Sequence, residues 1–335
     1  MHDASSDRHV GTSASGAMSE PTTADRPSLR FGIAVPNYGP LASPANLLRL
    51  ARRAESLGVD SIWVADHLVA PLGVQSVYPF DRSPDPKPGN MGVIEQFYEP
   101  LTTLAFLAGA TSRIRLGVSV LVVPYRNPVV TAKIVATLDA LSEGRVIFGA
   151  GVGWLREEFT ALGQDARHRG AVTDEYLEVC RRLWRDDVAE FAGRHYTLPP
   201  VRTGPKPVQR PWPPIWIGGN SDAALARALA LGDGLHLIDL SPEETAQRVE
   251  QLRAREADEG RATPLSVSVR KGILVRDHDR DDDRALYGTP AKIRRDVARY
   301  AAAGADYLVS NLRQAKTIDD LEAALDETAR AVLDR

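Results

Sequence analysis

Asp66 and His67 stand side by side where an apolar run, Ile62, Trp63, Val64 and Ala65, comes to a stop. An imidazole exchanges protons near neutral pH, and a neighbouring carboxylate sets its tautomer or raises its basicity. The pair therefore suits acid–base work on a bound ligand. Spacing alone matches a plainer role equally well, with Asp66 capping the next segment and His67 a surface histidine. A second stretch, "FGAGVGWLREEF", puts Gly149, Gly151 and Gly153 where backbone can closely approach a flat or anionic ligand. Tight strand packing uses glycine in the same way. It is not a Rossmann fingerprint, which follows the first strand and needs an acidic residue ~20 positions later. A third stretch, "IWIGGNSDAALARAL", runs Gly218, Gly219, Asn220 and Ser221 straight into a helix. Its unpaired first amides and its dipole favour an anion such as phosphate, although a simply capped helix start has the same letters.

Other chemistries find less support. Among the seven histidines, His2 and His9 fall near the N-terminus, His168 and His195 in insertions, and His278 in the acidic run "RDHDRDDD". His67 and His236 alone sit at strand ends, which makes His236 a second candidate at a pocket. No metal site is expected, since no strand carries a His-x-His pair with a carboxylate to complete it. No G-x-S-x-G nucleophile elbow occurs. The one cysteine, Cys180 in "YLEVCRRLW", rules out an internal disulfide and reads as a small core side chain.

The elements that must position these residues are repeated βα units. Eight short runs rich in Val, Ile, Leu and aromatics alternate with segments of helical period. They are "RFGIAVP", "SIWVAD", "IRLGVSVLVV", "RVIFGAG", "PIWIGG", "GLHLID", "LSVSVRKGILV" and "DYLVSNL". In "PANLLRLARRAESLG", Pro44 suits a first turn and Gly58 a stop; "SDAALARALALG" has Ser221 as cap and Gly232 as stop. Eight such units predict a (β/α)8 barrel, with a doubly wound open sheet as the alternative. The barrel is favoured because nearly every strand ends in Gly, Asn, Asp, His or Ser, as loops around one mouth require. An open sheet would gather such residues at one switch point. Longer connections fall at residues 68–97, 153–171, 186–213 and 276–288. The first, with "RSPDPKPGN", reads as a lid or rim, and "AEFAGRHYTL" in the third as a hairpin turning at Gly193.

Composition narrows the partners. Hydrophobic residues make up 43% and charged residues 25% of 335, and the net charge of −3 is well mixed along the chain. No basic face for nucleic acid is expected. Residues 1–28, rich in Ser, Thr, Ala, Asp and Gly, predict a disordered extension, and residues 29–335 the barrel domain. No window holds the ~20 uninterrupted apolar residues of a membrane helix, so a soluble, cytoplasmic protein without membrane partners is expected.

Taken together, "ESLGVDSIWVADHL", "GVSVLVVPYRNP", "RVIFGAGVGW", "GPKPVQRPWPPIWIGG" and "GTPAKIRRDVARYAAAGADYLV" resemble, in order and spacing, the bacterial luciferase-like superfamily of (β/α)8 flavin and deazaflavin oxidoreductases. The likeness covers roughly residues 30–333 and is greatest to the branch using coenzyme F420, an 8-hydroxy-5-deazaflavin. The resemblance implies a non-prolyl cis peptide at Ser119–Val120 supporting the tricycle, and a cofactor phosphate at Gly218, Gly219, Asn220 and Ser221, with Val152 and Gly153 nearby. It implies Asp66 touching cofactor and His67 as acid or base to a small-molecule substrate. It also implies a homodimer. Where sugar-phosphate dehydrogenases of the family carry Glu after the third glycine, this chain has Trp154, expected as an apolar pocket wall. An F420-dependent oxidoreductase is thus the first expectation. An FMN-dependent monooxygenase is the alternative, and a catalytically silent flavin-binding barrel the second alternative.

Overall fold

The computed structural model describes residues 29–89, 96–282, 285–312 and 315–333. The extension expected over residues 1–28 lies outside them. All eight apolar runs form parallel strands: β1 Arg30–Ala34, β2 Ser61–Val64, β3 Arg115–Val118 continued by β4 Leu121–Val122, β5 Val146–Gly151, β8 Ile215–Gly218, β9 Gly234–Ile238, β10 Ser266–Val275 and β12 Tyr307–Leu312. Each pairs with the next, and β12 pairs with β1 from Arg30 opposite Tyr307 to Ala34 opposite Asn311, which closes the barrel. The open-sheet alternative is excluded by that closure.

Between strands run helices whose starts are written in the sequence. Pro44, Pro100, Pro128, Pro242 and Pro290 open α1 Pro44–Ser56, α2 Pro100–Ala108, α3 Pro128–Leu141, α7 Pro242–Asp258 and α8 Pro290–Ala302. Proline belongs there because its missing N–H costs nothing in the first turn and its φ is already helical. Caps reinforce several starts: the Asn127 side chain accepts from Val129 and Val130, and Ser241 and Glu244 form a reciprocal capping box. The remaining helices are α4 Arg156–Ala161, α5 Arg169–Arg185, α6 Asp222–Leu231 and α9 Ile318–Leu333. The expected hairpin is β6 Ala189–Ala192 with β7 Thr197–Val201, antiparallel, turning through Gly193. One strand was not foreseen: in the fourth long connection, β11 Ala285–Gly288 adds in parallel to the overhanging end of β10.

Strand periodicity divides the apolar residues between two cores. Outward residues such as Ile33, Ile62, Val118, Phe148, Ile217 and Val269 join the helices in one continuous core, where each fully buried side chain of this size contributes about 1.5–3 kcal/mol. Inward residues Trp63, Ile147, Trp216, Tyr307 and Val309 form a second cluster that fills the barrel. The two indoles stack at 5.4 Å, and Tyr307 meets Trp216 edge-on at 5.1 Å. Such bulk fits because facing strands present glycine: a Cβ on Gly32 or Gly117 would collide with Trp63, and one on Gly234 with Trp216. Trp63 Nε1 and the Tyr307 hydroxyl both donate to Ser61 Oγ, at 2.7 and 3.0 Å, so the plug leaves these polar atoms satisfied.

Candidate active site

Above this plug the barrel mouth opens into a cavity of about 1280 Å³. Its floor is the interruption between β3 and β4, where the Ser119–Val120 peptide is cis. The Val120 side chain occupies space left by glycine on both neighbouring strands: a Cβ on Gly218 would lie 2.7 Å from Val120 Cγ1, and one on Gly151 closer still to Cγ2. The glycines of "GAGVG" thus receive the protein's own backbone and side chain first. Gly151, Val152 and Gly153 also line the cavity. Beneath the cis peptide, Ser119 Oγ is 2.8 Å from His236 Nε2, whose Nδ1 is 2.7 Å from Ser268 Oγ. His236 is fully buried against Trp63, and burial together with Arg270 pushes its imidazole down to about 3. It does not line the cavity; the expectation of a pocket histidine is corrected to a neutral floor support, because its side chain points inward one layer below the rim.

His67 does line the cavity, with Phe97 and Trp154 edge-on to it at 5.6 and 6.2 Å. Its Nδ1 lies 2.6 Å from Oε2 of Glu158, a buried carboxylate carried on α4. The same Oε2 accepts the Tyr125 hydroxyl at 3.0 Å, while Oε1 accepts the amides of Leu68 at 2.6 Å and Val69 at 3.2 Å. Burial works to raise the Glu158 carboxyl, but the bonds from His67 and the two amides prevail and hold it below the usual carboxylate range.

Asp66 points elsewhere. Its carboxylate accepts two bonds of 2.8 Å from Arg126, one to each oxygen, and the Val122 amide at 2.8 Å. Burial raises this carboxyl, and Arg126 opposes the rise. These bonds tie β2 to the segment after β4, and Asp66 stands at the edge of the cavity with its carboxylate engaged by Arg126. Asn37 makes a comparable tie, since its side-chain amide bonds Ala65 from both ends and the Tyr98 carbonyl at 3.0 Å.

At the opposite side of the mouth, Gly218, Gly219, Asn220 and Ser221 line the cavity as expected, but divide the work. Gly219, at φ +133°, gives its amide to the His236 carbonyl at 3.0 Å, and the Asn220 amide exchanges two bonds with Ile238. These two shape the turn. Ser221 caps α6 through Ala224, which leaves the amides of Asp222 and Ala223 without intrahelical partners. Six arginines line the cavity, Arg82, Arg156, Arg167, Arg169, Arg227 and Arg270, with the carboxylates Asp66, Asp81 and Glu157; Arg82, Arg167 and Arg227 are ion-paired with Glu244, Asp165 and Asp174. The long loop after β2 forms one wall, bringing Tyr78 against Trp154 at 5.3 Å and pinned where Glu157 accepts the amides of Gln75 and Ser76. A second cavity of about 430 Å³ opens between β1, β2 and β12; it shares Ala65, Ser119 and Arg270 with the first and has apolar walls including Pro36, Leu41 and Leu312.

Glu158, Tyr125, Arg126 and Arg270 were missed by the sequence reading. The first three lay inside the motifs already singled out, yet nothing in their spacing pairs residues 91 or 60 positions apart. Among the described residues no cluster of three or more His, Cys, Asp or Glu could hold a metal ion, and no helix is long and apolar enough to cross a membrane.

Residues 27–333 match the family model for luciferase-like monooxygenases. The chain belongs to that family. The luciferase-like barrel is 31% identical over 282 residues to the phthiodiolone/phenolphthiodiolone dimycocerosates ketoreductase of Mycobacterium bovis, covering 79% of this chain and 70% of that protein. It superposes on the monooxygenase RslO1 of Streptomyces bottropensis with a TM-score of 0.74, at 22% identity, over 91% of this chain and 99% of the other. For the coenzyme F420-dependent tetrahydromethanopterin reductase of Methanopyrus kandleri, the values are 0.73, 17%, 92% and 99%. Likeness at such identity establishes the shared luciferase-like fold. The solved structures sharing this fold include an F420-dependent reductase and a monooxygenase, and the family to which the chain belongs is one of luciferase-like monooxygenases.

Proposed function

We propose that the protein is an F420-dependent oxidoreductase that moves a hydride between the deazaflavin and a small organic substrate. The observation that carries this reading is that Arg156, Arg167, Arg169 and Arg227 line the same large cavity as the start of α6, Arg167 and Arg227 already sharing their charge with Asp165 and Asp174. F420 continues beyond its phosphate into a string of carboxylates, whereas FMN ends at the phosphate. Arginines lining the cavity beyond the helix N-terminus would suit the longer anion. The floor also suits a tricycle: the Val120 side chain fills the space beside Gly151 and Gly218, and all four of Ser119, Val120, Gly151 and Gly218 line the cavity.

In this reading the cofactor supplies a carbon that gives or accepts hydride. The rest is done by the chain. Ser221 and the first amides of α6 hold the phosphate, and Arg156, Arg167, Arg169 and Arg227 the anionic tail. Ser119 and Val120 support the ring from below. Trp154, Phe97 and Tyr78 keep water from the reacting face, and His67 gives or takes the proton at Nε2. The small cavity, with apolar walls at Pro36, Leu41 and Leu312 and polar groups on Tyr38, Ser119, Arg270 and Asn311, would receive part of the substrate. The ketoreductase likeness favours a carbonyl/alcohol couple.

A second reading, an FMN-dependent monooxygenase, is supported by the likeness to RslO1 and by Trp154 standing where an acidic residue would serve sugar chemistry. Titration with F420 and FMN, each oxidised and reduced, distinguishes the two. F420 is expected to bind more tightly, with an affinity that falls steeply as salt rises. Micromolar FMN binding without F420 binding would establish the monooxygenase reading instead. We further propose a homodimer, supported by Phe106 on α2 and Val130, Ile134 and Leu141 on α3, which expose apolar side chains on adjacent helices. Sedimentation of a Phe106→Glu variant as a monomer, against a wild-type dimer, is the expected result.

A further inference from the structure

We propose that Glu158 is a positioning residue that fixes the tautomer of His67, so that Nε2 meets the substrate as a proton acceptor. The claim about function rests on the oxidoreductase reading above; the claim about the tautomer stands on geometry alone. Glu158 is buried, is held ionised by its donors, and has only acceptor atoms. Oε1 is occupied by the amides of Leu68 and Val69, which cannot reverse their role. Oε2 takes the Tyr125 hydroxyl and faces His67 Nδ1 at 2.6 Å. A contact this short between two acceptors would be repulsive, so Nδ1 carries hydrogen and donates. The neutral ring then has its lone pair on Nε2. The backbone amides come from the two residues directly after His67, so one carboxylate sets both the ring's proton and the path of the chain that carries it.

This arrangement defines the substrate by its chemistry. A hydroxyl donor facing the Nε2 lone pair, among Phe97, Trp154 and Tyr78, is that of a neutral alcohol. An alcohol oxidised here would pass its O–H proton to Nε2, and the cofactor, when bound, would supply the acceptor for the carbinol hydrogen and its electron pair. The C–O bond becomes C=O, and Glu158 offsets the new charge on the imidazolium. Reduction of the ketone runs the same transfers backwards from the imidazolium.

Glu158→Gln provides a sharp test because the protein dictates how the amide must lie. The amides of Leu68 and Val69 require an oxygen, so the glutamine nitrogen is forced toward His67 Nδ1, which must then accept. The proton moves to Nε2, facing the substrate with a donor in place of an acceptor. Long-range ¹H–¹⁵N spectra of cofactor-free protein labelled in histidine, with His67 assigned by its loss in His67→Asn, read the tautomer directly at pH 8. The wild type is expected to be protonated at Nδ1, and Glu158→Gln at Nε2, with F420-linked alcohol oxidation falling about 10²- to 10⁴-fold. Tyr125→Phe keeps the carboxylate and is expected to retain the Nδ1 proton and most of the rate. A wild-type ring protonated at Nε2 overturns the proposal even if Glu158→Gln does not fold; so does a folded Glu158→Gln variant with its Nδ1 proton and rate intact. If the tautomers are as stated but wild-type protein shows no F420-linked turnover, the positioning role stands and the F420 reading falls.

Discussion

Arg126 grips both carboxylate oxygens of Asp66 at 2.8 Å, across 60 residues of sequence and inside the barrel rim. The pair makes the carboxylate that stands next to His67 in sequence a structural tie. Arg126 also bonds Glu99 at 2.9 Å, so it is removal of Arg126 that leaves a buried charge, that of Asp66, without a charged partner, at a cost of about 3–5 kcal/mol. Arg126→Met is therefore expected to lose stability on that scale in urea unfolding, and Asp66→Asn combined with Arg126→Met to regain part of it. A single-variant loss below about 1 kcal/mol, the range of an exposed pair, would mean that the tie is not what holds this corner.

His67→Ala separates proton transfer from packing. Cofactor affinity is expected to survive, since in the proposed binding mode the start of α6 and the Ser119–Val120 floor would provide the main contacts, while single-turnover hydride transfer drops about 10²- to 10⁴-fold. Near-normal transfer at every pH between about 5 and 9, a window that brackets the ordinary imidazole range, would end the catalytic role of His67.

Gly219→Val tests the phosphate turn. Gly219 sits at φ +133°, closed to a β-branched residue, and a Cβ there would stand 3.1 Å from Ala224 Cβ on α6. The turn must shift and carry the helix amides with it. A folded variant with cofactor binding weakened roughly tenfold or more, about 1.4 kcal/mol in binding, is expected from fluorescence titration. Unchanged affinity would move the phosphate elsewhere.

His236 gives stability a pH dependence of known sign. The unfolded chain protonates this imidazole near the ordinary value of about 6.5, the folded chain only near about 3. Between these values the unfolded state holds more protons, so this contribution is complete above the window and is lost as pH falls through it, by about 1.4 kcal/mol per pH unit at most. His236→Gln should show a shallower decline in urea midpoint between those limits than wild type. Equal slopes would show that His236 is protonated in the folded protein as well.

The architecture was legible because its rules are local. Pro44, Pro128 and Pro242 start helices wherever they fall after a capping residue, and the eight strands announce themselves by composition. The site was legible only as far as single stretches reach. His67 and the turn at Gly218–Ser221 line the mouth because a strand end places them there whatever the rest of the chain does. What each side chain does once placed depends on partners brought by closure of the barrel. Asp66 is claimed by Arg126, His236 by Ser119 and Ser268, and His67 by Glu158, and no periodicity links those positions. Adjacency in sequence suggested Asp66 as the partner of His67; alternation of side chains along the chain sent the two in different directions.

The indoles that plug the barrel have an optical consequence. Trp63 stacks on Trp216 and on His236 directly under Ser119, and Trp154 stands in the wall beside His67. A flavin or deazaflavin lying across the mouth absorbs where indole emits, and it would lie close to three of the five tryptophans. On the proposed binding mode the protein would contain its own light meter: unlabelled chain, excited in the ultraviolet, is expected to dim as the tricycle enters and brighten as it leaves. The kinetics of occupancy can be followed before any substrate is known.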